Sequence, residues 1–321
     1  MKKITVLSIL FMACFVVMAD AAPKKIALVG RISWCPDSPG AQNGNRDFDI
    51  MPFFSMDDEI LRFKLERWGF FAILMPDYVT QSVMNGGDKG NLGYETYINP
   101  GDYMFEQNTD PHNFLKDNGF DLVYITGTCW SSTAPPVKNS GVPIIQGEHS
   151  CLGQRNKIGS LGMFFGERSN DHSGCDTLVL TDAGKAHPLM SGLPAEIKIF
   201  GNGPSPDPPA NPGSVWAGIS NHIDDAAPGT KVLAVWQDAP EQAAITVVDE
   251  GGELADGSKA KARMLMMFWT GSVRPSNGAE LPPIWTNVID YLTDDGKNLN
   301  LRCVLWALGE DPTAVNNWQN Q

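Results

Sequence analysis

Short apolar runs separated by polar, glycine-rich segments mark the first part of the chain. Lys25–Val29 is one such run, followed by glycine, and Phe70–Met75 is a second one that Pro76 closes. Between these runs, apolar residues recur at helical spacing: Ile60, Leu61, Leu65 and Trp68. A strand, a helix and a strand within about 50 residues predict a βαβ unit, in which the two strands run parallel.

Three later runs have the same character: Asp121–Thr126, Val142–Gln146 and Thr177–Thr181. None of them alternates between polar and apolar residues, which is typical of strands that are covered on both faces. We therefore expect an α/β fold with a flavodoxin-like, mostly parallel central sheet and helices on both faces. In that arrangement all five strands are parallel neighbours, the first lies beside the third, and the third lies beside the fourth.

The C-terminal half predicts an antiparallel extension of this sheet. Residues 201–230 are rich in Gly, Pro, Asn and Asp, which is typical of a long surface loop. Three strands with short connections follow: Lys231–Trp236, Ala243–Asp249 and Arg263–Trp269. Two amphipathic helices close the chain, the last with the stripe Leu301, Val304, Leu305 and Leu308. We expect one domain over residues 23–310 and a short tail over residues 311–321.

The N-terminal segment has the pattern of a cleavable signal peptide. Lys2 and Lys3 precede an uncharged apolar run, Ile4–Met18, and Ala19-Asp20-Ala21 then offers small residues for cleavage. The apolar run is shorter than the ~20 residues that a membrane-spanning helix needs. We expect residues 1–22 to be removed and the mature protein to be secreted or periplasmic, without a stable membrane anchor.

Charge and motifs narrow the classes of partner and cofactor. The formal net charge is −13, and the sequence has no cluster of Lys and Arg, so we expect no binding to nucleic acid or to an anionic membrane. The chain lacks H-E-x-x-H, C-x-x-C, G-x-G-x-x-G and P-loop patterns. We therefore expect no metal and no cofactor.

Polar and aromatic residues that follow predicted strands are the candidates for ligand binding. In an open parallel sheet, ligands bind beyond the carboxyl ends of the strands. This rule selects Trp34, Asp77, Trp130, Asp182 and His187. Tryptophan rings stack on sugar faces and carboxylates bind sugar hydroxyls, so these residues indicate a small polar or sugar-like ligand. The alternative is that the tryptophans cap the ends of the sheet.

Residues 147–154 carry the densest chemistry. Glu148, His149 and Cys151 follow the fourth predicted strand. A cysteine at a helix N-terminus has a lowered pKa and acts as a nucleophile when a base stands beside it, which indicates a hydrolase. The alternative is that Cys151 belongs to a disulfide.

The cysteines themselves predict a disulfide near the carboxyl edge of the sheet. In an oxidising compartment, we expect at least one bridge among Cys35, Cys129, Cys151 and Cys175, three of which follow neighbouring strands. Cys303 lies on the last helix, opposite its apolar stripe, and we predict that it is unpaired.

The segment from His187-Pro188 to Gly192-Leu193 resembles the H-P-x-x-x-G-L element of ThuA-like domains. These domains belong to the class I glutamine amidotransferase-like superfamily. The resemblance implies a flavodoxin-like core and an association with sugar utilisation. Amidotransferases use Cys, His and Glu, and here no His-x-Glu pair follows Cys151.

The resemblance and the residues together lead to two hypotheses. The first is an exported ThuA-like domain that binds a small polar or carbohydrate-like ligand, or a partner, without a complete amidotransferase triad. The alternative is a Cys- or Asp/His-dependent hydrolase that acts at the carboxyl edge of the sheet.

Overall fold

The structure, a computed structural model, describes residues 22–30, 32–33, 53–54, 56–77, 113–127, 129, 134–148, 151–153, 159–166, 176–201, 221–268 and 292–315. The predicted signal peptide up to residue 21 lies outside these residues. Five of the predicted site and disulfide residues also lie outside them: Trp34, Cys35, Trp130, His149 and Cys175.

Nine strands of the described chain form one mixed sheet, and two short strands pair separately. The strands are β1 (Lys25–Gly30), β2 (Ile32–Ser33), β3 (Phe53–Phe54), β4 (Phe71–Pro76), β5 (Leu122–Ile125), β6 (Ile144–Gln146), β7 (Thr177–Leu180), β8 (Glu196–Lys198), β9 (Thr230–Trp236), β10 (Ala239–Val248) and β11 (Met264–Met266). The order across the large sheet is β4-β1-β5-β6-β11-β10-β9-β7-β8, and β2 pairs with β3.

The N-terminal side of the sheet is parallel. β1 lies between β4 and β5, with Ile26 opposite both Ala72 and Leu122, and β5 pairs with β6 in the same direction. The prediction that the first strand lies beside the third, and the third beside the fourth, is confirmed. The apolar runs are consistent with this outcome, because strands covered by helices on both faces are buried on both sides.

Two strand directions differ from the prediction. β7 is antiparallel to β9 and lies on the far side of the sheet from β6, so it is not a fifth parallel neighbour. β11, expected in the antiparallel extension, pairs with β6 in parallel and with β10 in antiparallel. Both differences have one cause. An apolar run indicates burial but not direction, and the path of the connecting segments decides which way a strand runs.

Helices cover both faces of the sheet, as predicted. They are α1 (Met56–Arg67), α2 (Phe114–Asp117), α3 (Asp182–Ala186) and α4 (Asp294–Leu308), with 3-10 turns at Val137–Asn139, Pro188–Met190 and Ile223–Asp225. One face, here called the α1 face, packs side chains of α1 and α4 on the sheet: Leu61, Leu65, Leu299 and Val304 with Ile26, Leu28, Leu122, Tyr124 and Ile145. The other, the α2 face, packs α2 on the sheet: Phe114 and Leu115 with Ala27, Val29, Val123, Ile125 and Ile144.

Cys303 is buried in the core of the α1 face and is a free thiol. Its predicted unpaired state is confirmed. Its predicted position opposite the apolar stripe is wrong, because Cys303 packs with Leu299 and Val304 and thus belongs to the inward side of α4. A cysteine behaves as a small apolar side chain in a core, so the apolar face of α4 includes Cys303 as well as the predicted leucines and valine. In the described part of the chain, no helix is long and apolar enough to cross a membrane.

Candidate functional site

The carboxyl ends of four parallel strands lie at one edge of the sheet, and polar residues follow each end. Backbone hydrogen bonds keep these ends level: Thr126 N–H donates to Val29 O at 2.9 Å, and Gly147 N–H donates to Ile125 O at 2.7 Å. Asp77 follows β4 directly. Parallel strands therefore bring the residues after β4, β5 and β6 to the same edge of the sheet, which is where open α/β sheets bind ligands.

The chain segments after β5 and β6 touch backbone to backbone. A Cβ atom on Gly147 would lie 2.9 Å from Gly127 N and 3.0 Å from Ile125 O, so this approach requires glycine. Each segment then turns back: Cys129 N–H donates to Thr126 O at 3.2 Å and Cys151 N–H donates to Glu148 O at 3.1 Å. The two tight turns place both cysteines in the core of the α2 face.

Acidic groups converge on Cys129. Burial raises the pKa of the Cys129 thiol well above its ordinary value, and the neighbouring acidic groups Asp77, Cys151, Glu148 and Asp58 raise that pKa further. All four groups therefore act electrostatically on one sulfur. Asp58 and Asp77 are 1% and 5% exposed, and Glu148 is half-buried. We call this set, Asp58, Asp77, Cys129, Glu148 and Cys151, the carboxyl-edge cluster.

Asp58 is a member of this cluster that the sequence did not indicate. It lies in the first turn of α1, and its carboxylate sits directly over Gly30 at the end of β1. A Cβ atom on residue 30 would lie 2.2 Å from Asp58 Oδ2, so the glycine makes room for the carboxylate. The Gly that ends a predicted strand was the available signal, because a glycine there often marks a close approach by another group.

Asp182 and His187 lie at the opposite edge of the sheet, and their predicted place beside the other candidates is wrong. They follow β7, which is antiparallel to β9. Because β9 runs in the same direction as the parallel strands, β7 runs opposite to them and ends at the other edge of the sheet. The Asp182 side chain is 102% exposed. The reversed direction of β7 moves both residues away from the carboxyl-edge cluster.

His187 has a structural role at that opposite edge. Its Nδ1 accepts a hydrogen bond from Leu189 N–H at 3.3 Å, which caps the 3-10 turn Pro188–Met190. Its ring packs against the Trp306 ring with centroids 5.6 Å apart. Burial lowers the pKa of His187, which favours the neutral ring that the cap requires.

The predicted nucleophile is buried. Cys151 is 0% exposed and packs in the core of the α2 face, which is typical of a structural thiol rather than a reactive one. Cys129 and Cys151 are both thiols, and no disulfide joins cysteines in the described part of the chain, so the bridge predicted through either of them is not formed. Tight turns bring the two residues near one another, but nearness alone does not provide the Cβ geometry that a disulfide requires. Within the described ranges, no group of three or more His, Cys, Asp or Glu side chains is arranged to hold a metal ion.

No protein-family model and no curated protein sequence matches this chain. Solved structures show weak likeness. The cytoplasmic protein STM1381 from Salmonella typhimurium LT2 is 12% identical, with a TM-score of 0.40 over 84% of this chain and 100% of that one. The cytoplasmic protein STM3548 from Salmonella typhimurium is 12% identical, with a TM-score of 0.38 over 84% and 98%. SMU.1228c is 11% identical, with a TM-score of 0.36 over 90% and 99%. Scores this low carry no argument about the function of this chain.

Proposed function

We propose that this protein binds a small, hydroxyl-rich, carbohydrate-like ligand at the carboxyl edge of its parallel strands and does not hydrolyse it. The observation that carries the proposal is the convergence of three carboxylates, Asp58, Asp77 and Glu148, on Cys129. Carboxylates accept hydrogen bonds and donate none when ionised, so they pair with ligand groups that donate, such as hydroxyls. Bidentate binding of adjacent hydroxyls by a carboxylate adds charge-assisted strength.

Charge also limits the ligand. The chain has a formal net charge of −13, and the acidic members of the cluster add to the negative potential at this edge. An anionic ligand such as a phosphate would be repelled from such a site. A neutral polyol avoids that repulsion and offers hydroxyl donors to the carboxylates.

The cluster favours binding over hydrolysis. A nucleophilic cysteine needs a lowered pKa and access to the substrate. The pKa of Cys129 is raised and Cys151 is buried, which are the properties of structural thiols. No observation in the described chain favours the Cys- or Asp/His-dependent hydrolase.

Calorimetric titration tests the proposal. The titrants are glucose, galactose, mannose and myo-inositol, with glucuronate as the anionic comparison. We expect at least one neutral polyol to bind wild-type protein, and we expect Asp77→Asn and Glu148→Gln each to weaken that binding about tenfold or more, since each removes a charged hydrogen-bond acceptor. Asp182→Asn is the matched control, because it removes an exposed carboxylate at the opposite edge and should leave binding unchanged.

Two results would contradict the proposal. One is that no neutral polyol binds at millimolar concentration. The other is rapid, stoichiometric labelling of native Cys151 by iodoacetamide near neutral pH, located by peptide mass spectrometry. That second result would favour the hydrolase, since a buried structural thiol reacts slowly.

The ThuA-like assignment, the flavodoxin-like core and export are parts of the same proposal. Across the sheet, the parallel strands follow one another as β4, β1, β5, β6 and β11. Numbered by their order along the chain, this arrangement is 2-1-3-4-5, which supports a flavodoxin-like core. The H-P-x-x-x-G-L element at His187 supports the ThuA-like assignment, and the apolar N-terminal segment supports export. Export predicts a mature N-terminus at Ala22 or Pro23, and intact Met1 on the native protein, read by mass spectrometry, would refute it.

A further inference from the structure

A row of residues on the α2 face of the sheet contains two polar side chains. Ile125 lies opposite Gln146, Gln146 opposite Met266, and Met266 opposite Thr246, so the four residues cross β5, β6, β11 and β10 in register. Residues that are paired across strands project on the same face, and Ile125 and Met266 belong to the core of the α2 face. Gln146 and Thr246 therefore flank Met266 on that face.

Both polar side chains are fully buried and keep hydrogen-bonding capacity unused. Gln146 and Thr246 are 0% exposed, and Gln146 Nε2 and Thr246 Oγ1 have no hydrogen-bond partner among the described residues. Leaving such an atom unsatisfied costs roughly 1–3 kcal/mol. An apolar residue at position 246 would avoid that cost in a core that is otherwise apolar.

The Gln146 amide is held in one orientation, toward the carboxyl-edge cluster. Its Oε1 accepts a hydrogen bond from the backbone N–H of Glu148 at 3.1 Å. This contact assigns the amide oxygen and nitrogen, because the flipped amide would place its NH₂ group, a donor, next to the Glu148 N–H, which is also a donor. The amide therefore lies beside Glu148, with Nε2 as a donor that has no acceptor in the described chain.

Asn221 adds a third unsatisfied side chain near the segment that follows β6. It is fully buried, and neither Oδ1 nor Nδ2 has a partner among the described residues. Its backbone oxygen accepts from Ala243 N–H at 2.9 Å, which ties it to β10. Its Nδ2 lies 3.6 Å from the place that a Cβ on Gly153 would take, two residues beyond Cys151.

We infer that Gln146, Thr246 and Asn221 form the inner wall of the carboxyl-edge site and recognise the hydroxyl groups of a neutral polyol. The inference rests on the proposed function and adds the residues that determine specificity. A carboxylate of the cluster can accept a hydrogen bond from a ligand, whereas Gln146 Nε2 requires an acceptor. A hydroxyl group supplies both at once, and the neutral amides and Thr246 hydroxyl impose no charge on it. A cation would satisfy the carboxylates but leave Gln146 Nε2 without an acceptor.

Thr246→Val and Gln146→Leu test this inference, because each replaces a polar group by an apolar one of similar size. If the wall binds ligand, each variant should weaken binding of the polyol that wild-type protein binds in the calorimetric titration by about tenfold. The melting temperature of unliganded Thr246→Val should stay unchanged or rise, whereas that of Gln146→Leu should fall slightly, because Glu148 N–H loses its acceptor. Thr230→Val is the matched control. Thr230 Oγ1 donates to Met163 O at 2.8 Å, so this variant should lower the melting temperature and leave binding unchanged.

One pattern would overturn the inference and leave the proposed function intact. In it, Glu148→Gln weakens polyol binding, whereas Thr246→Val and Gln146→Leu melt at lower temperature and bind the polyol as tightly as wild type. The two polar groups would then have only a structural role. Absence of polyol binding by the wild-type protein would instead refute the proposed function itself.

Discussion

Individual side chains in this protein have roles that depend on which edge of the sheet they reach. Asp77 and Glu148 follow parallel strands and contribute to the carboxyl-edge cluster. Asp182 is also an acid that closely follows a strand, β7, but it is exposed and its neighbour Thr181 caps a helix. All three acids lie within two residues of a strand end, so strand direction, and not closeness to the strand, separates the candidate site residues from the surface carboxylate.

Cys303 allows a prediction at the scale of one residue. Burial raises the pKa of this thiol well above the ordinary 9.0. The unfolded chain therefore loses the proton first as pH rises, so the contribution to stability is complete below the unfolded pKa and is lost as pH rises above it. Burial likewise raises the pKa of Tyr124, which adds to the loss at still higher pH.

We expect the free energy of unfolding, measured by urea titration, to fall as pH rises from about 8.5 to about 11. The Cys303 and Cys129 thiols, whose pKa values burial raises, should each contribute up to ~1.4 kcal/mol for each pH unit above the unfolded pKa. Cys303→Ala should lose about 1 kcal/mol at neutral pH through its small cavity and show a shallower fall with pH. If the free energy of unfolding falls equally steeply with pH in the variant and in the wild type, Cys303 has no such role.

At the scale of elements, two helices begin with the same device. α3 begins after Thr181 and α4 after Thr293, within the sequences Thr181-Asp182-Ala183-Gly184 and Thr293-Asp294-Asp295-Gly296. In each, the threonine hydroxyl accepts from the glycine N–H at 3.0 Å and donates to a strand carbonyl, Val232 O at 2.7 Å or Lys198 O at 2.6 Å. One hydroxyl thus caps the helix and fastens its first turn to a neighbouring segment.

The glycine in this device fixes how closely the helix approaches. A Cβ on Gly184 would lie 1.9 Å from Leu233 O, and one on Gly296 would lie 2.4 Å from Ile199 O. Both contacts are with backbone, which cannot move aside as a side chain does. The first turns of α3 and α4 therefore lie against their neighbours only because these positions have no side chain.

Gly296→Ala should destabilise the protein, although alanine is the better helix former. The ordinary gain is ~1 kcal/mol, whereas the clash with Ile199 O should cost a few kcal/mol and leave a net loss of roughly 1–3 kcal/mol in urea unfolding. Asp295→Ala, an exposed change in the same turn, is the control and should alter stability by less than ~1 kcal/mol. A stabilising effect of Gly296→Ala would show that α4 does not lie this close.

At the scale of the whole molecule, one core joins the parallel and antiparallel parts of the sheet. The core of the α1 face includes Leu28 and Tyr124 from parallel strands, Leu233 and Trp236 from β9, and Trp306 from α4. Neither part can lose its packing without exposing apolar side chains of the other. The sheet and its covering helices should therefore behave as one cooperative unit.

We expect one unfolding transition in urea. Tryptophan fluorescence reports on the nine tryptophans of the chain, among which Trp68 follows α1, Trp236 lies in β9 and Trp306 lies on α4, whereas far-ultraviolet circular dichroism reports on the whole backbone. The two signals should give the same midpoint. A fluorescence transition at a clearly different urea concentration would show that the two parts unfold separately.

Much of the fold could be predicted from the hydrophobic pattern. Lys25–Val29 and Thr177–Thr181 are strands within one residue of the predicted bounds, and the last helix, α4, contains the predicted stripe of Leu301, Val304, Leu305 and Leu308. These features are local, because burial and helical periodicity leave their mark within a few residues. β8, a three-residue edge strand with exposed Glu196 and Lys198, was missed because so short a segment has no clear pattern.

By itself, then, the sequence determined where the strands and helices lie and that Asp77, Glu148 and Cys151 follow strands. Tertiary structure alone decided the directions of β7 and β11, which moved Asp182 and His187 to the opposite edge. It also brought in Asp58, by packing α1 over Gly30, and aligned Gln146 with Thr246 across three strands. The physical reason is the same throughout: hydrophobic patterning records whether a residue is buried, whereas its neighbours depend on strand direction and register, which long-range packing sets.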